Sequence, residues 1–204
     1  MLNLKKYEGK TQEQALEKAM IELNSEEKNL IYDYEYIEGK LFKSSKYIIN
    51  VIEKQEIKEF INNYINELGN LMNIKIENEI LEKDNIYNVI LLTSNNAILI
   101  GKEGKNLNSI QSLIRNTIKN QTGLNIKVNI DISNYKDKKL KNLEYQIKKI
   151  AKEVLKTKVD VSLDPMNSYE RRYIHNIINE YKNLETESIG EGRERHIVIK
   201  YVEN

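Results

Sequence analysis

Ile98-Leu99-Ile100-Gly101-Lys102-Glu103-Gly104-Lys105-Asn106-Leu107-Asn108-Ser109-Ile110-Gln111 sets two glycines, three residues apart, between two apolar-periodic segments. Residues 97–100 read as a short helical piece. Leu107, Ile110, Leu113, Ile114 and Ile118 fall on one stripe of a longer helix that Gly123 stops. Paired glycines in such a turn carry no Cβ atoms, so a sugar-phosphate backbone can come close. Backbone N–H groups at the start of the second helix, with Lys102 and Lys105, would offer that strand partial and full positive charge. A plain helix–helix turn has the same Gly-x-x-Gly spacing, so the surroundings must decide.

Upstream, Ile57, Phe60, Ile61, Tyr64, Ile65 and Leu68 make a helical stripe from about Glu56 to Gly69, and residues 74–80 and 86–92 read as strands. Downstream, residues 126–132 alternate apolar and polar and close the unit. The order is helix, strand, strand, helix, turn, helix, strand. Before this unit comes a short strand at 3–7, then Thr11-Gln12-Glu13-Gln14, a capping box that opens a helix with Ala15, Leu16, Ala19, Met20 and Leu23 inward. Strands at 30–37 and 46–52 follow around a Gly39-Lys40 turn. A protease-sensitive junction is expected near 52–56.

After residue 134 a helix over about 135–156 directs Leu140, Leu143, Ile147, Ile150, Ala151 and Leu155 inward and lysines outward. Residues 159–163 alternate as a strand, Asp164-Pro165-Met166 breaks it, and Asn167-x-x-Glu170 caps another helix. Residues 184–188 and 195–202 form a final hairpin. On the capped helix Arg171 and His175 stand at i and i+4, on one face. Such a pair can grip a phosphate through the guanidinium while the imidazole donates a hydrogen bond or stacks on a base. A buried histidine or a solvated Arg-His face is the bland alternative.

Composition limits what these units can do. With 40% hydrophobic and 31% charged residues the chain has material for packed cores. No apolar run approaches the roughly 20 residues that span a bilayer, and the first residues lack the core of a signal peptide, so a cytoplasmic protein without membrane insertion is expected. Zero Cys excludes disulfides and thiolate sites, and 2 His cannot alone build a zinc centre. Neither metal nor cofactor is expected. The net charge of +1 hides an uneven distribution: residues 1–100 hold 12 basic against 17 acidic side chains, 101–160 hold 14 against 6, and 161–204 hold 6 against 8. The basic middle can attract phosphate, or it can be a lysine-rich solvated helix face. Carboxylates are plentiful but none is tied by motif to a nucleophile, base or nucleotide loop, so an enzyme is not expected.

The motifs together resemble the Jag family. Residues 98–111 resemble its KH motif, and 54–132 has the element order of a bacterial type II KH domain. Pro165-Met166-Asn167-Ser168-Tyr169-Glu170-Arg171-Arg172-Tyr173-Ile174-His175 resembles the Pro-Met-x-x-x-Glu-Arg-Arg-x-x-His signature of its Arg-x-x-x-His domain, and Ser188, Gly190, Glu191, Arg193 and Arg195 resemble its closing segment, with His196 where a second arginine stands. Tyr7-Glu8-Gly9-Lys10-Thr11 and Glu38-Gly39-Lys40 resemble the Jag N-terminal domain, although Leu41-Phe42-Lys43-Ser44-Ser45 departs from the family's glycine-flanked loop. Glu103 also departs, placing a carboxylate inside the KH loop. In the opening of the long helix, Lys136, Lys138 and Lys139 replace arginines, which keeps charge and loses the planar fork.

The resemblance implies an α+β chain of three small domains: a Jag N-terminal β-α-β-β domain (1–53), a type II KH domain of order α-β-β-α-α-β (54–133) and an Arg-x-x-x-His α/β domain (134–204). It implies a chaperone-like regulator that binds single-stranded RNA through Gly101, Lys102, Glu103, Gly104 and Lys105, and again through Arg171, Arg172, His175, Arg193 and Arg195. A role in cell elongation, division and shape, a small KH-domain partner protein and contact with envelope-assembly machinery are implied as well. The competing reading is an adaptor that docks on that machinery and binds little nucleic acid.

Overall fold

The computed structural model describes residues 1–39 and 44–203. It is a mixed α+β chain with three three-stranded sheets, divided into two compact units, 1–133 and 134–204.

The first unit opens with β1 (Lys5–Gly9), α1 (Gln12–Leu23), β2 (Leu30–Ile37) and β3 (Lys46–Glu53), whose sheet runs β1-β3-β2, all antiparallel. Thr11 caps α1 by accepting from the Gln14 N–H at 3.3 Å, and Gln14 Oε1 accepts in return from the N–H of Lys10 at 3.2 Å, one residue before the cap. Ala15 and Ala19 are buried against Leu30, Ile49 and Val51. The expected Gly39-Lys40 turn and the 41–45 segment lie largely outside the described residues.

β3 runs straight into α2 (Lys54–Met72) with no residue between them, and Ile52 and Ile57 on either side of the join are buried. A protease finds no loop there, contrary to the expected sensitive junction. Further ties lie close by. The Lys54 ammonium meets Glu82 Oε1 at 3.0 Å with both side chains mostly buried, and the Tyr87 hydroxyl donates to the Lys54 carbonyl at 3.2 Å. Burial alone would raise the Glu82 carboxyl, but Lys54, the Asn85 N–H and Lys58 together hold it below its ordinary range. Leu2 is buried and its N–H donates to Gln121 Oε1 at 2.8 Å, fastening the chain start to the end of a later helix.

α2 does not end at Gly69. Asn73, at φ 53°, supplies the left-handed cap, its N–H turning back to the carbonyls of Asn70 and Gly69. Gly69 is instead buried within the helix, where an added Cβ would stand 2.8 Å from the Ile74 carbonyl oxygen. The glycine permits the close return of the chain into β4 (Ile76–Lys83).

β5 (Ile86–Thr93), α3 (Asn96–Ile100), α4 (Lys105–Thr122) and β6 (Lys127–Ile132) complete this unit. The sheet order is β4-β5-β6, with β4 antiparallel and β6 parallel to β5. Alternate residues Tyr87, Val89 and Leu91 of β5 and Val128, Ile130 and Ile132 of β6 are buried, and α2 and α4 pack on the sheet. Side chains of α4 also reach the backbone of β6: Arg115 Nε donates to the Val128 carbonyl at 2.6 Å, and the Ile130 N–H donates to Gln111 Oε1 at 2.9 Å. These bonds fix α4, and with it the glycine turn at its start, to the sheet.

The second unit is built from α5 (Tyr135–Thr157), β7 (Val161–Ser162), α6 (Ser168–Ile178), β8 (Leu184–Ile189) and β9 (His196–Tyr201). Its antiparallel sheet runs β7-β9-β8. Ile147, Ala151 and Val154 of α5 meet Ile174, Ile177 and Ile178 of α6 and Leu184, Ile197 and Ile199 of the hairpin in one core. β7 is shorter than the alternation over 159–163 implies. Asp160 spends its carboxylate on the Tyr201 N–H at 3.0 Å, and Val159 is exposed.

Candidate nucleic-acid interface

The glycine turn owes its form to backbone geometry. Gly101 sits at φ 69°, Glu103 at φ 56° and Gly104 at φ 84°, three left-handed conformations in four residues. The Gly101 N–H closes α3 on the Ala97 carbonyl at 2.9 Å, and the Gly104 N–H returns to the Gly101 carbonyl at 3.2 Å. Gly104 is buried and Gly101 half-buried, so the turn shows Lys102, Glu103 and Lys105 to solvent. The side chains of Lys102 and Lys105 make no hydrogen bond or ion pair among the described residues, while the Lys105 N–H donates to the Lys102 carbonyl. No side chain caps the start of α4, and its first N–H groups follow directly on the turn.

The second site is made of side chains. Asn167 and Glu170 form the complete capping box of α6, with bonds of 3.0 and 3.2 Å, and Glu170 pairs with Lys139 of α5 at 2.6 Å. On the flank of α6 facing β8, Arg171 Nη1 donates to Ser188 Oγ at 2.9 Å, and His175 Nδ1 lies 2.6 Å from Thr186 Oγ1. A step of four along a helix covers about 6 Å and a step of two along a strand nearly 7 Å, so the two elements run in step and both contacts form. Arg195 Nε donates to the same Ser188 Oγ at 3.0 Å. Two guanidinium groups therefore converge on one neutral hydroxyl, and the buried Arg171 Nε has no hydrogen-bond partner. Such a pair of cations is suited to an anion.

The side chains of Arg172 and Arg193 are exposed and make no hydrogen bond or ion pair among the described residues. Arg172 lies three residues after Tyr169, which is 63% exposed. His196 opens β9 and its Nδ1 donates to the Glu194 carbonyl at 2.9 Å. Sequence reasoning thus named the cations of this face and, through the closing motif, Ser188, but missed Thr186 and the role of both hydroxyls as the partners of those side chains. On α5, Glu144 accepts from Lys148 and from the Tyr173 hydroxyl, which together hold its carboxyl below the usual range. Among the described residues no cluster of His, Cys, Asp and Glu could hold a metal ion, and no helix is long and apolar enough to cross a membrane.

Residues 58–132 match the model of the KhpA/KhpB KH domain, and residues 141–201 match that of the Arg-x-x-x-His domain. Over 197 residues the chain is 36% identical to the RNA-binding protein KhpB of Clostridium symbiosum, a match covering 93% of this chain and 88% of the relative. The chain belongs to the KhpB family. A KhpB of Bacillus subtilis strain 168 is 30% identical over 163 residues, which are 79% of this chain and 78% of that one. A KhpB of Streptococcus pneumoniae strain D39 matches at 30% over 101 residues, half of this chain and 31% of its own length. The Arg-x-x-x-His unit read from the sequence is thus a domain this chain carries, and the glycine turn lies inside its KH domain.

Proposed function

We propose that this chain is a non-enzymatic, cytoplasmic regulator that binds single-stranded RNA at two places. In the KH domain the strand lies against the Gly101–Gly104 turn, with Lys102 and Lys105 and the first N–H groups of α4 facing its phosphates. Glu103 stands between the lysines and lowers the affinity of that contact. In the Arg-x-x-x-His domain Arg171 and Arg195 hold a phosphate beside Ser188, His175 flanks it, and Arg172 and Arg193 supply further charge. The observation that carries the reading is the convergence of two guanidiniums on Ser188 with a buried Arg171 Nε left without a partner. The name the relatives share, RNA-binding protein, supports it.

The domains are assigned as 1–53, 54–133 and 134–204, the first two within one compact unit. Membership of the family extends the proposal to a chaperone-like role in cell elongation, division and shape, with a small KH-domain partner protein and envelope-assembly proteins as contacts. Crosslinking in cells, nuclease trimming and sequencing of the protected RNA test the core of it. Recovery of discrete RNA segments is expected. An absence of protected RNA, with proteins crosslinked instead, would leave an adaptor docking on envelope-assembly machinery as the better account.

A further inference from the structure

We propose that Asn106 is a positioning residue that fixes the shape of the KH turn, and that Gly101 is glycine to make room for the Asn106 side chain. The proposal deepens the RNA-binding reading above by naming what holds the binding turn in place before any strand arrives.

Asn106 is the second residue of α4, and its Nδ2 donates to the Ile98 carbonyl at 2.8 Å. That carbonyl belongs to the last turn of α3, where no further intrahelical donor is available. The neighbouring Ala97 carbonyl is taken by the Gly101 N–H at 2.9 Å. The two successive carbonyls at the end of α3 are therefore closed by one backbone donor and one side-chain donor. The side-chain bond ties Ile98 to Asn106 and encloses the whole turn between them.

The amide reaches the carbonyl by lying across Gly101. A Cβ on Gly101 would stand 2.6 Å from Asn106 Cγ, 2.8 Å from Nδ2 and 2.9 Å from Oδ1, so any side chain there would displace the amide as a whole. Gly101 also needs its left-handed φ of 69°. Space over Gly101, itself half-buried, is thus taken up by the Asn106 amide, which shares the exposed surface of the turn with Lys102, Glu103 and Lys105. With Glu103 held in a left-handed conformation that non-glycine residues adopt at a cost, an external tie is what the turn requires to stay in one form. A turn ordered in advance spares the strand the entropy of ordering it.

Asn106 carries no charge, so its effect separates from that of a phosphate contact. Hydrogen exchange of the RNA-free full chain, and tetranucleotide affinity across a salt series, are measured for the parent, Asn106→Ala, Asn106→Asp and Lys102→Ala. Loss of one hydrogen bond of about 1 kcal/mol corresponds to roughly fivefold. Asn106→Ala and Asn106→Asp should each speed exchange at the Gly101 and Gly104 amides by about that factor, while the thermal midpoint of residues 1–133 falls by no more than a few degrees. Asn106→Asp keeps the shape but turns a donor into an acceptor facing a carbonyl, so it should do no better than Ala. Asn106→Ala should weaken the tetranucleotide several-fold at an unchanged salt slope. Lys102→Ala should reduce the slope and leave exchange as in the parent. Parent-like exchange in Asn106→Ala, or parent-like exchange in Asn106→Asp alone, would overturn the proposed tie. A parent protein that binds no RNA would sink the functional reading instead, and the exchange data would still decide the role of Asn106.

Discussion

Lys102 and Lys105 stand on a turn shaped by glycines and one amide, with no side-chain bond among the described residues, whereas Arg171 and Arg195 are held by side-chain hydrogen bonds to Ser188 between two elements. The KH turn offers a strand its exposed backbone edge and mobile charge. The Arg-x-x-x-His face offers guanidiniums already aimed. A flexible lysine is a diffuse point charge, while an arginine fixed by a second bond presents its fork in one orientation. On the proposed reading, the first kind of site is expected to tolerate many strands and to depend on salt. The second depends on the hydroxyls behind it.

The strongest perturbation of the comparison is to the independence of the two units. Gly69→Ala pushes a Cβ to 2.8 Å from the Ile74 carbonyl oxygen. Overpacking of about 1–3 kcal/mol outweighs the roughly 1 kcal/mol that alanine gains in a helix. The thermal transition of residues 1–133 should fall by several degrees, and a protease should cut sooner within them, while the Arg-x-x-x-His unit melts as before. A shared drop in both transitions would mean that the units do not unfold separately.

Next in size is Ser188→Ala, which leaves Arg171 and Arg195 facing each other without their common acceptor. The Arg-x-x-x-His unit should lose about 1 kcal/mol, some 4–8 °C for a domain of this size, and Ser188→Thr should restore most of it. A parent-like midpoint in Ser188→Ala would show that the hydroxyl does not organise the face. A smaller difference lies in salt dependence. Arg172→Ala and Lys102→Ala should each lower the slope of log affinity against log salt by about one, since both side chains stand ready for phosphate. Equal slopes in variant and parent would remove that residue from the contact.

The smallest expected effect is on acid stability. Lys148 and the Tyr173 hydroxyl hold the Glu144 carboxyl below its ordinary range. A carboxyl lowered in the folded state contributes stability that is present above its unfolded pKa and disappears as pH falls through its folded pKa. Glu144→Gln should therefore lower this unit's stability modestly at neutral pH and converge with the parent as pH falls through the range in which Glu144 protonates, which flattens the acid limb of the profile. A loss of the same size at neutral and at acid pH would contradict the assignment.

Much of this was legible in the sequence because local signals agreed with the fold. The Asn167/Glu170 capping box, the Gly123 cap and the apolar stripes of α2, α4 and α5 are local codes, and the structure keeps them, except that Leu113 of the α4 stripe is exposed. Gly69 was misleading since a glycine that ends a helix and one that lets a strand pass close look alike in sequence. Only the position of Ile74 separates them. The alternation over 159–163 overstated β7 because Asp160 makes a side-chain bond in place of a ladder position. Thr186 carried no signal, and Ser188 stood in the closing motif with no sign of its partners. Their spacing of two acquires meaning once β8 lies beside the i, i+4 pair of α6. Gln111 and Arg115 likewise reveal themselves only when α4 lies over the backbone of β6.

The central claim is that the two sites are distinct contacts on one RNA strand, and the length dependence of affinity tests it most directly. Tetranucleotide and long single-stranded RNA are titrated against the parent, a variant with both Lys102 and Glu103 changed to Asp, and a variant with both Arg171 and His175 changed to Ala. The first variant should lose about tenfold or more for both lengths, or at least about 1.4 kcal/mol. The second should hold the tetranucleotide almost as the parent does and lose affinity for the long strand, because only a long strand reaches both sites. If both folded variants bind long RNA as tightly as the parent, neither site contacts RNA and the account fails.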